Sequence, residues 1–546
     1  MILNLEDNSV AAGCVALAAA GVGSHLFYFM HGDHNPYAHR WITRGLTGIA
    51  LLGCTVLYLT RFQALPTAII TSLFSVSYFT GLFTSISLYR LFFHSLGKFP
   101  GPFWARLSNL CHAYVIRDSD NYFYIQRLHE KYGPIVRTGP SNLSVNDPSA
   151  IRLVLGNSSK CTKSPWYSRS LPVVNLHTVR DKTAHDARRK VFSKAFTPAA
   201  LNDYEKRVLV HCEEFVRQME YRAGTPFDAS DWLKYFAFDV MGDVGLGKEF
   251  HMMTSETNRW IPPLLDAGMA DVGPTTPVPW LGSILMRLPG SGHHSKAWLE
   301  FVGSQVKERV EKHVERADVL THLIDAYSRT EKKEIDFQWL RGDTRLTIVG
   351  GSDTTASTLT FLFCHLAMDP SQVKKLRAEL EPLLNGKNYL EQKDISKAQH
   401  LDGMIQEALR LHPAIPSGFP RVTPPEGITI GDTFIPGGTT VVLPVYTIQR
   451  DAANYVRPDE FIPERWYSQP ELIKNKEAFF AWNIGTNGCI GRALAVTEMR
   501  NLITHWIQNF ESVRFAPGED GSQILNETVD HFTVGVKPLK LVFEKK

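Results

Sequence analysis

One cysteine stands among three glycines in the stretch AWNIGTNGCIGRALA, residues 481–495. Gly485, Gly488 and Gly491 surround Cys489, and Ala493, Leu494 and Ala495 then open a run of good helix formers. Glycine costs conformational entropy, so such a cluster signals a tight turn or a close approach of backbone to a neighbour. A thiolate ligates a metal when positive charge stabilises it, and backbone amides at a helix start supply that charge. A lone cysteine is ordinarily a small buried hydrophobe. The flanking pattern here argues for a ligand.

Three further stretches carry residue types that could act with it. In TIVGGSDTTASTLTFLF, residues 347–363, two glycines and two adjacent threonines interrupt an apolar helix pattern although they are poor helix formers. A small-residue packing face would explain them. In HLDGMIQEALRLHP, residues 400–413, Glu407 and Arg410 share a helix face. In AHDARRKVFSKAF, residues 184–196, His185 and Arg189 stand one helical turn apart beside Arg188 and Lys190, a cluster that is ordinarily a solvated face.

These residues must be positioned by a large folded unit. The chain has 546 residues, 44% hydrophobic and 21% charged, with a net charge of +3 that gives no footprint for nucleic acid. Its seven cysteines are scattered singly, which favours reduced thiols facing the cytosol over a disulfide framework. Residues 132–155 read as two short strands, 135–137 and 143–145, around a Gly-Pro turn, followed by a helix opened by Asp147 and Pro148. Residues 204–222 and 373–380 read as helices, and 427–446 returns to strands around Gly431-Asp432 and Gly437-Gly438.

The first hundred residues differ. Residues 8–32 and 62–89 lack Lys, Arg, Asp and Glu and are long enough to span a bilayer, whereas the uncharged stretch 45–60 is marginal and open to a re-entrant reading. Glu6 and Asp7 make the front end acidic, against a secretory signal peptide. A buried helical cap is the alternative to about three spans. Arg90, Lys98 and Arg106 after the third stretch favour a cytosolic remainder, Arg40 and Arg44 agree, and the acidic terminus then faces the lumen. KFPGPFWARL, residues 98–107, reads as a stiff extended spacer because of Pro100 and Pro102.

Taken together, the motifs resemble those of the cytochrome P450 family. Trp482, Gly485, Cys489 and Gly491 match its haem-ligand loop, and residues 350–355 its A/G-G-x-D/E-T-T helix. Glu407 and Arg410 match its ExxR pair, and RPDEFIPERW, residues 457–466, its PERF-type segment. The resemblance implies a mainly α fold with small β-sheets (α+β): a membrane region at 1–97, a hinge at 98–130 and a haem-thiolate domain at 131–546. It implies haem b (iron protoporphyrin IX) with Cys489 as axial ligand. Trp482, Gly485 and Gly491 would shape the haem loop, and His185, Arg189 and Arg421 would hold the propionates. It further implies Asp353 and Thr354 as the proton-delivering pair, Gly350 and Gly351 as room for dioxygen, and Glu407, Arg410 and Arg465 as a structural clamp.

The same resemblance implies a monooxygenase in the endoplasmic reticulum membrane, fed from NADPH by NADPH–cytochrome P450 reductase, with cytochrome b5 as an optional donor. The chain has no GxGxxG segment of its own for that cofactor. The alternatives are a haem-thiolate isomerase or dehydratase acting without O2 and a non-enzymatic haem sensor; the intact Asp353-Thr354 pair argues against the isomerase. Family placement puts substrate contacts at 166–178, 260–285, near Val349 and Gly350, at 415–419 and at 529–532, which are apolar and aromatic stretches suited to an apolar polycyclic or terpenoid-like substrate. Residues 163–190 look most like fungal secondary-metabolite members, indole-alkaloid hydroxylases among them. Two positions depart from the pattern: Trp482 replaces the usual Phe, a tolerable aromatic swap, and Asn487 stands where the family commonly has an Arg or His for a propionate.

Overall fold

The computed structural model describes residues 8–312, 316–385, 387, 389–390, 394 and 397–546. Three apolar helices lead the chain: α1 (Asn8–Ser24), α2 (Ala38–Leu59) and α3 (Ala64–Leu88). With their end turns they make apolar rods of 22, 25 and 30 residues, each long enough to cross a bilayer. The middle rod is therefore longer than the marginal 45–60 stretch. Arg40 and Arg44 lie inside it, stacked on the rings of Tyr37 and Trp41, so their charges sit at the helix end rather than beyond it. Most of the surface of these helices is uncovered by the rest of the chain, unlike a buried cap. Glu6 and Asp7 lie outside the described residues.

Small residues bring α1 and α3 together. A Cβ on Gly81 would stand 2.0 Å from the Ala18 carbonyl oxygen, and one on Gly21 would stand 2.1 Å from that of Tyr78. Packing this close is available only to glycine. The spacer that follows is shorter than its sequence suggests. Phe103–Leu107 turns helical, and the remaining extended part is pinned by Arg137 N–H donating to the Pro100 carbonyl at 2.7 Å.

Five short strands form the main sheet: β1 (Ile135–Gly139), β2 (Asn142–Val145), β3 (Thr162–Lys163), β4 (Arg421–Val422) and β5 (Thr440–Val442). Their order is β1-β2-β5-β4-β3, with only the β2–β5 pair parallel. The register places Lys163 opposite Arg421. The helix after β2 starts one residue later than expected, at Ser149, with the Asp147 carboxylate accepting the Ser149 N–H at 2.9 Å.

Helices make up most of the remainder. α4 (Lys182–Ala195) and α5 (Pro198–Glu220) are capped by Asp181 and Thr197, whose side chains accept the N–H of Ala184 and Ala200. α6 (Ala229–Met241) packs along α7 (Lys333–Met368), a helix of 36 residues. From Leu359 to Leu366 every residue of α7 is buried, as in a helix surrounded by other elements. Two of its threonines bond back along the helix: Thr347 donates to the Asp343 carbonyl at 2.9 Å and Thr360 to that of Ala356 at 2.7 Å.

α8 (Gln399–Leu411) and α9 (Arg492–Asn509) pack on the same core. His365 of α7 and His412, just past α8, share a buried hydrogen bond of 3.0 Å between their Nε2 atoms. Phe361 stacks on His412 and Phe461 on His365, at 4.0 and 4.1 Å between centroids. A hairpin of β6 (Val529–His531) and β7 (Thr533–Gly535) turns at Phe532, whose φ of 84° is costly for a bulky residue. All seven cysteines are free.

Candidate active site

α4, α7, the segment 163–177, residues 414–421 and the loop 481–491 enclose a cavity with about 1410 Å³ of empty space, its open mouth included. Phe192, Leu346, Ile415 and Phe419 give it apolar walls. Cys489 lies on its floor. The accessible surface of the thiol opens into the cavity, although the loop itself lies deep in the protein. Burial raises the thiol pKa. The N–H groups of Gly491 and Arg492 and the charges of Arg189 and Arg492 pull it back toward the thiolate.

The loop glycines differ in purpose. Gly485 has φ +69° and its Cβ would stand 2.5 Å from the Leu155 carbonyl, so it fits the loop against the end of a neighbouring helix. A Cβ on Gly491 would meet only Phe196, at 4.0 Å, and faces free space. The Cys489 N–H donates to the Trp482 carbonyl at 2.9 Å, which closes the loop. On α7, Gly350 likewise faces the cavity with only Leu346 within 4 Å. Gly351 does not simply leave room: a Cβ there would lie 2.3 Å from Met241 Sδ, so this glycine also lets α6 and α7 meet.

The structure brings the expected cations to one rim. Arg189 Nη1 donates to the Gly488 carbonyl at 2.9 Å, and Arg421 Nη1 to the Tyr167 hydroxyl at 2.8 Å. His185 is buried, with Nδ1 3.0 Å from the Asp186 carboxylate. Lys163 joins them, which the sequence reading missed. Its Nζ donates to the carbonyls of His177 at 2.6 Å and Leu176 at 3.2 Å. Burial, then the charges of Arg421 and Arg189, depress its pKa to about 7. Like charges directly opposite on paired strands are destabilising, so Lys163 across from Arg421 marks a place built for an anion. Asn487, on the facing loop, reaches only Thr486 Oγ1 at 3.5 Å. Lys163 thus supplies a cation that Asn487 cannot.

These features fit haem: a thiol beneath an apolar space, cavity-facing glycines at 350 and 491, and a rim of cations suited to two carboxylates.

The acid and the alcohol point apart. Thr354 lines the cavity and its hydroxyl donates back to the Gly350 carbonyl at 2.8 Å. Asp353 is buried on the neighbouring face of α7 and bonds to the Thr533 hydroxyl of β7. Burial pushes its pKa up to about 6 against the pull of Lys234. Lys234 Nζ in turn donates to Asp266 Oδ2 at 2.6 Å, and Asp266 reaches solvent. The Thr355 hydroxyl lines the cavity without a partner. Glu498 of α9 was also missed; it is buried beside the cavity and raised to about 8 by desolvation.

Behind the cysteine loop, Glu407 receives Arg410 at 2.9 and 2.8 Å and Arg465 at 2.8 Å, all three fully buried. The Trp466 indole and the Ile462 N–H complete its shell at 2.9 and 3.0 Å.

Of the expected substrate segments, Tyr167, Leu176, His177, Gly350, Ile415 and Phe419 line the cavity; Val349 and residues 260–285 are not among the lining. No residue of 529–532 is among the lining either; Phe532 lies behind the wall, stacked on Trp166 at 4.5 Å and packed on His177 at 5.1 Å.

The sequence matches the family description "Cytochrome P450" over residues 100–543. It is 38% identical over 542 residues to cytochrome P450 monooxygenase lcsK of Purpureocillium lilacinum, covering 97% of this chain and 98% of that protein. Cytochrome P450 monooxygenase notG' of Aspergillus versicolor is 38% identical over the whole of both chains. Tryprostatin B 6-hydroxylase of Aspergillus fumigatus is 36% identical, covering 98% of this chain and 97% of that protein.

Proposed function

The chain belongs to the cytochrome P450 family, a haem-thiolate oxidoreductase of the monooxygenase type, and from that premise we propose that it oxidises an apolar secondary-metabolite substrate in the endoplasmic reticulum membrane. Electrons come from NADPH through NADPH–cytochrome P450 reductase, a separate flavoprotein. The observation that carries this reading is Cys489 at the floor of an apolar cavity beneath Lys163, Arg189 and Arg421.

When bound, haem b supplies the oxidising chemistry, drawing on its thiolate ligand. The protein's own residues do the rest. Cys489 would ligate the iron, its negative charge stabilised by the amides of Gly491 and Arg492. His185, Arg189, Arg421 and Lys163 would hold the carboxylates, while Trp482 and Gly491 line the floor. Gly485, which the resemblance also assigned to the haem, instead seats the loop against the Leu155 end of the neighbouring helix. Thr354 presents its hydroxyl to the cavity, and Asp353, buried beside the charge of Lys234 with its pKa raised to about 6, can hold or release a proton on the neighbouring face of α7. The walls exclude water and seat an apolar, largely aromatic-contacted substrate. Kinship with fungal secondary-metabolite oxidases, including one named tryprostatin B 6-hydroxylase, supports this substrate class.

The large domain lies on the cytosolic side. The loop between α1 and α2 pairs with that domain through Asp33 and Arg180, and the chain leaving α3 enters it as well. Three spans satisfy both contacts with one topology.

The test is spectroscopic. The reduced protein with carbon monoxide is expected to give the red-shifted thiolate band, and Cys489→Ala to abolish it. A wild-type spectrum without that band would overturn the reading. Turnover without NADPH would replace it with an isomerase. Comparing metabolites with and without the gene identifies the substrate.

A further inference from the structure

The loop joining the first two spans is not a bare connection. Its Asp33 carboxylate is oriented by its own turn, with Oδ1 accepting the Asn35 N–H at 3.1 Å and the Asn35 side-chain amide at 3.0 Å. Oδ2 receives Arg180 Nη1 in an ion pair whose two side chains are 25% and 32% exposed, so the pair is largely shielded from solvent. The turn Asn35–Tyr37 that follows lies against Pro165–Ser168 and the short helix Pro279–Leu285.

Arg180 uses its other donors on the cavity wall. Nε donates to the Lys163 carbonyl at 3.1 Å and Nη1 to Ser168 Oγ at 3.2 Å. Lys163 and Tyr167 line the cavity, and Lys163 in turn ties down the carbonyls of Leu176 and His177. One guanidinium therefore joins the membrane loop to both ends of the wall segment. Asp33 is the only carboxylate paired with Arg180 among the described residues.

We infer that Asp33 and Arg180 are positioning residues of the oxidation site: through them the first inter-span loop fastens segment 163–180, which walls the substrate cavity. This rests on the haem-thiolate reading above. A wall already ordered before a ligand arrives removes an ordering cost from binding. Releasing it acts on the wall and on Lys163 that the wall carries, whereas among the described residues neither the loop 481–491 nor the Glu407 clamp has a hydrogen bond to Asp33 or Arg180.

The experiment uses the full-length haem protein in phospholipid nanodiscs, with 4-phenylimidazole as the probe, followed by its shift of the haem absorption. Asp33→Asn is expected to speed probe release about three- to fivefold, the scale of a part-shielded ion pair. Asp33→Glu should release it within about twofold of wild type, the spread usual for a conservative surface change. In an Arg180→Gln background, Asp33→Asn should add nothing. Amide hydrogen exchange, which does not depend on the probe, should quicken across 163–180 in Asp33→Asn and stay unchanged in the Glu407 region.

Unchanged release and unchanged exchange in Asp33→Asn would overturn the inference. So would an Asp33→Asn effect of the same size with and without Arg180. Loss of the thiolate carbon monoxide band in the unaltered chain would instead strike the haem reading itself. The two failures are therefore distinguishable.

Discussion

At the scale of single residues, the rim of the cavity is an electrostatic problem that a dianionic ligand solves. Lys163 faces Arg421 across a strand pair, and its depressed pKa reports their mutual repulsion after burial. Removing one charge-assisted contact to a carboxylate costs about 1.5–3 kcal/mol. Lys163→Gln should therefore speed haem loss to a competing apoprotein by about tenfold or more, and Asn487→Arg in that background should recover part of it. On the far side of α7, Lys234 lowers the Asp353 pKa from where burial alone would set it. Lys234→Met should raise that pKa, moving the turnover–pH profile to higher pH whichever limb Asp353 governs. That 354 and 489 face one cavity and that 407, 410 and 465 form one ion cluster could be anticipated from the sequence, because each sits in a short, type-specific pattern, whereas the turning of Asp353 away from Thr354 could not. Lys163 was not. Its meaning comes from register with a strand far along the chain, and nothing in its own neighbourhood announces that partner.

At the scale of elements, two buried polar knots hold the helices behind the site. Glu407 accepts from Arg410, Arg465, Trp466 and Ile462, so Glu407→Gln leaves two buried guanidinium groups short of a counter-charge. Breaking such a set costs roughly 3–5 kcal/mol, and the variant should accumulate as haem-poor, protease-sensitive protein. The histidine pair gives a pH-dependent counterpart. Burial lowers the pKa of His365 to about 3 and that of His412 well below its usual value, so both are neutral when folded. Unfolded chains bind those protons near pH 6.5. The stabilisation is thus complete above that pH and is lost as pH falls from 6.5 toward 3, by up to about 1.4 kcal/mol per unit for each histidine. Thermal inactivation should steepen below pH 6.5, and less so in His412→Gln. The strands at 135 and 143 and the helical character of α5 and α7 could be read from pattern. The length of α2 could not, because Arg40 and Arg44 looked like boundaries until their stacking on Tyr37 and Trp41 placed them inside the helix.

At the scale of the whole molecule, the three apolar helices meet the rest of the chain through the segment leaving α3, through Asp33 and Arg180, and through α2 and the turn before it packing on Pro279–Leu285. The topology this implies is testable by peptide mass after labelling sealed vesicles with an impermeant maleimide. A cysteine placed at His31 should react directly, and one at Gln63 only after detergent opens the vesicles. The closeness of α1 and α3 at Gly21 and Gly81 has an evolutionary corollary. A generic tether can be swapped between enzymes by recombination anywhere along its length. Here the helices lock as complementary halves, so a crossover between them would pair mismatched surfaces. Anchors of this kind can be inherited only whole, together with the loop that reaches the catalytic domain.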